Sequence, residues 1–222
     1  MRRNITIAII LMAALFVPLW AQTAANFSVT RTEDGRGIRI SGYTGTVLTV
    51  VIPATIQGLP VTEIQNIAHP MDMTANNNIT TITIPASVTS ISSGAFRECH
   101  RLTSITVDGN NPNYSSENGL LYNKEKTILL AVPPAISGTV SIAESVTDIG
   151  GGFGNTFSGC TSITTLTIPA SVTIIGPWAF IGWTNTQTII VKGHANQESA
   201  DAAWGSYTWR EFSNARIVYQ GQ

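Results

Sequence analysis

Ile79–Leu102 reads ITTITIPASVTSISSGAFRECHRL, and Ile163–Thr186 reads ITTLTIPASVTIIGPWAFIGWTNT. Without a gap, Ile82, Ile84, Pro85, Val88, Ile91, Ala95 and Phe96 of the first fall on Leu166, Ile168, Pro169, Val172, Ile175, Ala179 and Phe180 of the second. Equivalent positions recur after 23 residues, from Ile79 to Leu102 and from Ile163 to Thr186. A degenerate copy runs through Val140, Ile142, Val146, Ile149, Phe157 and Cys160, with three extra residues in its Gly-rich stretch. Another starts at Val47, Val50, Ile52 and Pro53 and takes the insertion QGLP before Val61 and Ile64.

A repeat of this length cannot bury its apolar edge alone, so copies must stack. Stacking sets Ile82 beside Ile105, Val140 and Leu166 as one inward column. The alternation Ile82-Thr83-Ile84 turns Ile in and Thr out, as a side-chain period of two demands. Pro85 and Pro169 lack an N–H, so each ends a strand at the corner of its coil. Ala95-Phe96 and Ala179-Phe180 then pack inward from the convex side. The period and its LxxIxI core fall in the leucine-rich-repeat range. The expected fold is a β-rich, right-handed repeat solenoid of about six coils with capped ends.

Composition agrees. The chain of 222 residues holds 29 Thr and 27 Ile, both β-branched and suited to half-buried pleated surfaces. Charged residues make up 11%, against about 25% in ordinary soluble domains. This profile argues against a helical bundle or coiled coil. The formal net charge of -1 offers no footprint for nucleic acid.

The pattern LxxIxIPxSVTxIxxxAFxxCxxL resembles the BspA-type (treponemal) leucine-rich repeat of bacterial surface proteins. Ser87, Val88 and Thr89 supply its SVT, Ala95 and Phe96 its AF, and Cys99 its cysteine. Asn111-Pro112-Asn113-Tyr114 followed by Gly119-Leu120-Leu121-Tyr122-Asn123 is similar to another block of that family, as is the tail around 187–192 and 200–219. His69 stands where Phe is expected, Trp183 where Cys is expected, and Ala143 where Pro is usual. The resemblance implies an exported binding protein that adheres to host extracellular proteins or to other bacteria. Fold alone does not fix function.

Arg2 and Arg3 precede an apolar run to Trp20, followed by Ala21, Ala24 and Ala25. This is the layout of a secretory signal over 1–25, cleaved after Ala21 or Ala25. The alternative is an uncleaved anchor, but the run of about 16 residues falls short of the roughly 20 that span a bilayer. Cleavage lowers the basic count from 12 to 10 against 13 acidic residues. No later apolar run is long enough to span a membrane, so the mature chain is expected to be secreted, held at the cell surface or periplasmic. The repeat domain then covers 26–222. Within it, 26–46 reads as an N-terminal cap, a hairpin around Glu33-Asp34-Gly35-Arg36. Residues 108–136 leave the repeat and read as a hairpin insertion around Lys124-Glu125-Lys126. Residues 192–222 read as a C-terminal cap, with a short helix over roughly 196–204 and a last strand at 216–219. Trp204, Tyr207, Trp209, Phe212 and Tyr219 either close that end or form a ligand box.

Catalytic signals are weak. Cys99 and Cys160 share one repeat position with a coil between them, roughly 10 Å apart and beyond disulfide reach. Two separate buried thiols are expected. His69, His100 and His194 have no metal-ligand spacing. Gly150-Gly151-Gly152-Phe153-Gly154 lacks the Lys-Ser/Thr of a phosphate loop, and no GxSxG elbow occurs. The expectation is a non-enzyme without cofactor or metal.

The concave strand face is the better lead. Its third positions are Thr49, Thr81, Ser104, Thr139, Thr165 and Thr188. Its fifth positions are Val51, Thr83, Thr106, Ser141, Thr167 and Ile190. Stacked, they form two outward columns on one sheet, rich in hydroxyls and free of charge. Such a face suits hydrogen bonding to a protein or glycan ligand. The plainer reading is that the hydroxyls support the sheet by bonding one another. The functional rival is a structural or assembly protein of the bacterial envelope, using an Ile181 or Trp183 patch.

Overall fold

The structure is a computed structural model that describes residues 24–68, 78–151, 155–204 and 209–221. The export-signal reading falls almost wholly outside them, as do His69, Tyr207 and Gly152-Phe153-Gly154.

Near the start of the described residues, after a 3-10 turn at Ala24–Asn26, lies an antiparallel hairpin, β1 (Phe27–Arg31) and β2 (Ile38–Tyr43). β3 (Thr49–Val51) is the first strand of the ladder. Gln57 and Gly58 of the QGLP insertion turn β4 (Thr55–Ile56) into β5 (Leu59–Ile64), which Leu59 and Pro60 open. One full coil then carries β6 (Thr81–Ile84) and β7 (Ser90–Ile91), and β8 (Ser104–Val107) starts the next. β6 stops at Ile84, directly before Pro85, as the missing N–H requires.

The insertion differs from expectation. It holds three strands, β9 (Tyr114–Glu117), β10 (Leu120–Asn123) and β11 (Ile128–Ala131), paired as an antiparallel meander. The hairpin around Lys124–Lys126 is its second half. After Tyr114, the extra strand β9 continues with Ser115, Ser116 and Glu117, which carry none of the apolar run that marks the other two.

Three further coils follow. They carry β12 (Gly138–Ser141) and β13 (Asp148–Ile149), β14 (Ile163–Ile168) and β15 (Ile174–Ile175), then β16 (Thr188–Lys192). Helix α1 (Gln197–Trp204) and β17 (Arg216–Gln220) close the end. Asn196 caps α1, its Oδ1 accepting from Ser199 N at 3.0 Å. Trp204 and Trp209 are buried and meet edge to face at 5.2 Å, which makes them a cap. Phe212 departs from that role and is 66% exposed.

The coils pair in parallel and in the register read from the sequence. Thr81 lies opposite Thr49 and Ser104, and Thr165 opposite Thr139 and Thr188. Ile82, Ile84, Ile105, Val140, Leu166 and Ile189 fill the inward columns and are buried. Ala95, Phe96, Ala179 and Phe180 close the core from the opposite side.

The core falls into two clusters. One runs from Phe27 to Val107 and ends on Leu121. The other starts at Leu120 and Tyr122 and runs to Trp209. β10 is the seam, buried on both faces, with Leu121 turned to the first cluster and its neighbours to the second. A strand buried on both faces reads as a continuous apolar run, which is what LLY is.

Candidate functional site

The hydroxyl-bearing residues of the strand face divide into two halves. β3, β6 and β8 form one three-stranded sheet, and β12, β14, β16 and β17 form another. The single ladder expected from the sequence is therefore interrupted between Ser104–Thr106 and Thr139–Ser141. The cause is the meander. The turn between β9 and β10 lies against the edge of β8, where Gly119 O accepts from Ile105 N at 2.9 Å. Ser116 Oγ accepts from Val107 N at 2.9 Å. Asn118 and Gly119 both have positive φ, the geometry of a tight two-residue hairpin turn. A Cβ on Gly119 would lie 3.3 Å from Ser104 Cα and Thr103 O, so glycine permits the close approach.

Thr49, Thr81 and Ser104, with Thr83 and Thr106 beside them, make the first half-face. Thr139, Thr165 and Thr188, with Ser141 and Thr167, make the second. All ten side chains are exposed or half-buried, alternating with buried Ile, Val and Leu. β17 extends the second half, setting Arg216 beside Thr188 and Val218 beside Ile190. Arg216 thus puts a charge at the end of the column, outside the six coils whose positions were read as neutral.

Hydroxyls in this protein do two different jobs. At the corners they clamp successive coils. Thr89 donates both N–H and Oγ1–H to Thr62 O, Thr147 both to Thr127 O, and Thr173 both to Thr147 O. Thr80 and Thr103 do the same to Leu48 O and Thr80 O. Ser87, Ser145 and Ser171 donate to Ala54 O, Lys126 O and Val146 O. On the strand face, Thr81 Oγ1 donates to Thr49 Oγ1 at 3.0 Å. Among the described residues, the hydroxyls of Thr83, Ser104, Thr106, Thr139, Ser141, Thr165, Thr167 and Thr188 bond to no other protein group. Mutual support across the strand face thus accounts for one pair only. The corner clamps were missed in the sequence, although the SVT motif itself marks two of their three positions.

Between the half-faces lies a cleft of about 330 Å³, lined by Thr103, Ser104, Asn118, Gly119, Ile136, Ser137, Thr139, Val140 and Ser141. Its walls carry hydroxyls, one amide and no charge.

The other sequence-derived candidates resolve as follows. Trp183 is 1% exposed and donates its indole N–H to Phe157 O, so it is core and no surface patch. Its large apolar side chain gave no sign of direction in the sequence; the repeat position, shared with Cys99 and Cys160, does. Ile181 is half-buried. Among the described residues Trp178 and Phe212 are exposed, and Glu211, next to Phe212 in the chain, accepts from the Trp178 indole at 2.9 Å. Cys99 and Cys160 are free and buried, and burial pushes each thiol up to about 12. Neither is expected to react with iodoacetamide at pH 8 in the native chain, whereas both react after denaturation; mass spectrometry checks this. Because both folded-state values lie above the ordinary 9.0, stability is full below pH 9 and falls as pH rises towards about 12. Among the described residues, no three His, Cys, Asp or Glu gather where they could hold a metal ion. No helix among them is long and apolar enough to cross a membrane.

The sequence pattern of the BspA type Leucine rich repeat region matches residues 70–128 and 137–208 in six copies. The chain belongs to the BspA-type leucine-rich-repeat family. Solved structures similar to it are bacterial leucine-rich-repeat proteins. One from Eubacterium ventriosum is 29% identical over 65% of this chain, with a TM-score of 0.48; the match spans 38% of that protein's length. The leucine rich repeat protein of T. pallidum is 23% identical, with 76% of this chain and 70% of that one covered and a TM-score of 0.42. A leucine rich cell surface protein of Faecalibacterium prausnitzii is 17% identical, with 90% and 95% covered and a TM-score of 0.32. No curated protein matches the sequence.

Proposed function

We propose that this BspA-type repeat protein is exported and binds a protein or glycan ligand on its strand face, in adhesion to host extracellular proteins or other bacteria. The observation that carries this reading is the split among its hydroxyls. Corner hydroxyls are spent on main-chain carbonyls, whereas among the described residues eight strand-face hydroxyls, those of Thr83, Ser104, Thr106, Thr139, Ser141, Thr165, Thr167 and Thr188, keep their donor and acceptor capacity. A neutral face of this kind grips by directional hydrogen bonds and shape, without the desolvation cost of a charge. The reading is therefore a binding module.

The test replaces Thr81, Thr106 and Thr165 by Lys in one chain. The three positions are exposed or half-buried and point away from the core, so melting should shift by only a few degrees. Capture of immobilised extracellular-matrix proteins and of bacterial cells should fall at least tenfold. Unchanged capture by a folded triple variant overturns the reading.

The exposed pair Trp178 and Phe212 favours a second reading, an envelope assembly role. It predicts a stable oligomer by size-exclusion chromatography with light scattering, lost in Trp178→Ser/Phe212→Ser. A monomer at all concentrations removes it.

A further inference from the structure

The interruption of the ladder leaves one interior strand edge open. At the fifth position of a coil, the main chain faces the preceding coil. Thr83 O accepts from Ile52 N at 3.0 Å, and Thr167 O accepts from Ile142 N at 3.5 Å. Ser141 holds the same position in its own coil, opposite Thr167, and Thr139 precedes it by one full alternation. Their N–H and C=O groups therefore point towards β8, which is where the preceding strand of the ladder would pair. β8 does not take them up, because Gly119 O of the β9–β10 turn and Ser116 Oγ of β9 already accept from the N–H groups of Ile105 and Val107. Among the described residues no strand pairs with this edge of β12. The edge opens instead into the 330 Å³ cleft.

We infer that this cleft binds an extended peptide by adding it as a strand to β12, through the main-chain groups of Thr139 and Ser141. Main-chain hydrogen bonds supply affinity in such strand addition, and the flanking pockets select side chains. Here the flanks are Ser104, Asn118, Ser137 and the hydroxyls of Thr139 and Ser141, with no charged group. They fit a peptide of small, uncharged, hydrogen-bonding side chains. Among the described residues no strand pairs with the outer edge of β3 either, but that edge is terminal and flanked by exposed Val47, Leu48 and Val51. This inference deepens the proposed binding function but rests on the strand edge, not on the hydroxyl columns.

The test pans a random twelve-residue peptide library against the purified chain and measures the enriched peptides as synthetic probes. Ser141→Pro removes the N–H aimed into the cleft and none of those bonded to β14, so an edge strand should tolerate it. It should weaken probe binding at least tenfold, while Val51→Pro, the same change at the terminal edge, leaves binding intact. Methylating alternate amide nitrogens of the probe should also abolish binding, which keeps the test decisive if Ser141→Pro misfolds. Failure to enrich any peptide, indifference to probe methylation, or loss in Val51→Pro but not Ser141→Pro overturns the inference. Binding of oligosaccharide probes alone overturns it too, and points back to the hydroxyl columns. The triple Lys variant separates the two ideas, since a failure of the column reading leaves the Ser141→Pro result unchanged.

Discussion

Asn111→Ala is expected to destabilise the chain by about 3–5 kcal/mol, lowering the melting temperature by about 10 °C for a protein of this size. Asn111 is fully buried and fully satisfied. Its Nδ2 donates to Pro85 O and Val88 O, both at 2.9 Å. Its Oδ1 accepts from Asn113 N at 2.9 Å and Tyr114 N at 2.8 Å. One side chain thus holds the corner of the preceding coil and shapes the turn that starts the meander. Alanine leaves Val88 O and the N–H groups of Asn113 and Tyr114 to find partners, and leaves Pro85 O with only its 3.4 Å bond from Val88 N, at a site where unmet polar groups are costly. Asn111→Asp keeps the acceptor but sets a carboxylate against two carbonyls, so it should be no milder than alanine. Neutral surface changes nearby, such as Asn110→Ala, serve as the control and should cost under about 0.5 kcal/mol. Thermal melting followed by circular dichroism measures all three, and an Asn111→Ala chain within 3 °C of the parent would show that the clamp is dispensable.

Much of this architecture was legible because each repeat repeats its reasons. Ile82 and Leu166 sit at the same phase of a strand pattern, so one alignment fixed column, face and register together. Pro85 marked a strand end without any knowledge of the coil above it. The split of the ladder was not legible. It depends on a turn at Asn118-Gly119 reaching sideways to Ile105, and no periodicity links residues whose contact arises from an insertion. Asn111 was visible only as part of a familiar block, because an asparagine's four hydrogen bonds are defined by distant carbonyls. The corner clamps were hidden for a different reason. Thr is expected on any exposed strand, so its excess was assigned to the face, when part of it belongs to the carbonyl clamps of Thr89, Thr147 and Thr173. The free hydroxyls of the strand face could be separated from these only by knowing which carbonyls lie within reach.

Trp183→Ala should have the second large effect, about 3–5 kcal/mol from lost packing and the cavity left behind. Trp183 meets Phe180 at 5.2 Å and Phe157 at 6.1 Å, both edge to face, and its indole N–H bonds to Phe157 O at 2.9 Å. Trp183→Phe keeps most of the packing and should lose about 1–2 kcal/mol, from the lost indole bond and the smaller ring, since Phe157 O still accepts from Cys160 N at 3.1 Å. Trp183→Cys installs the residue found at the equivalent Cys99 and Cys160 positions, yet it should recover little. Phe157 and Phe180 are already spaced around an indole, and cores relax only partly around a void. The location of the damage carries further information, since Trp183 and Cys160 belong to the second core cluster and Cys99 to the first. If β10 is a seam between separately failing halves, mild heating of Trp183→Ala should expose Cys160 to iodoacetamide while Cys99 stays protected. Peptide mass mapping reads the two sites independently. Simultaneous labelling would mean that Leu120, Leu121 and Tyr122 weld the clusters into one cooperative unit, in which case the strand buried on both faces is the fold's keystone and not its weak joint.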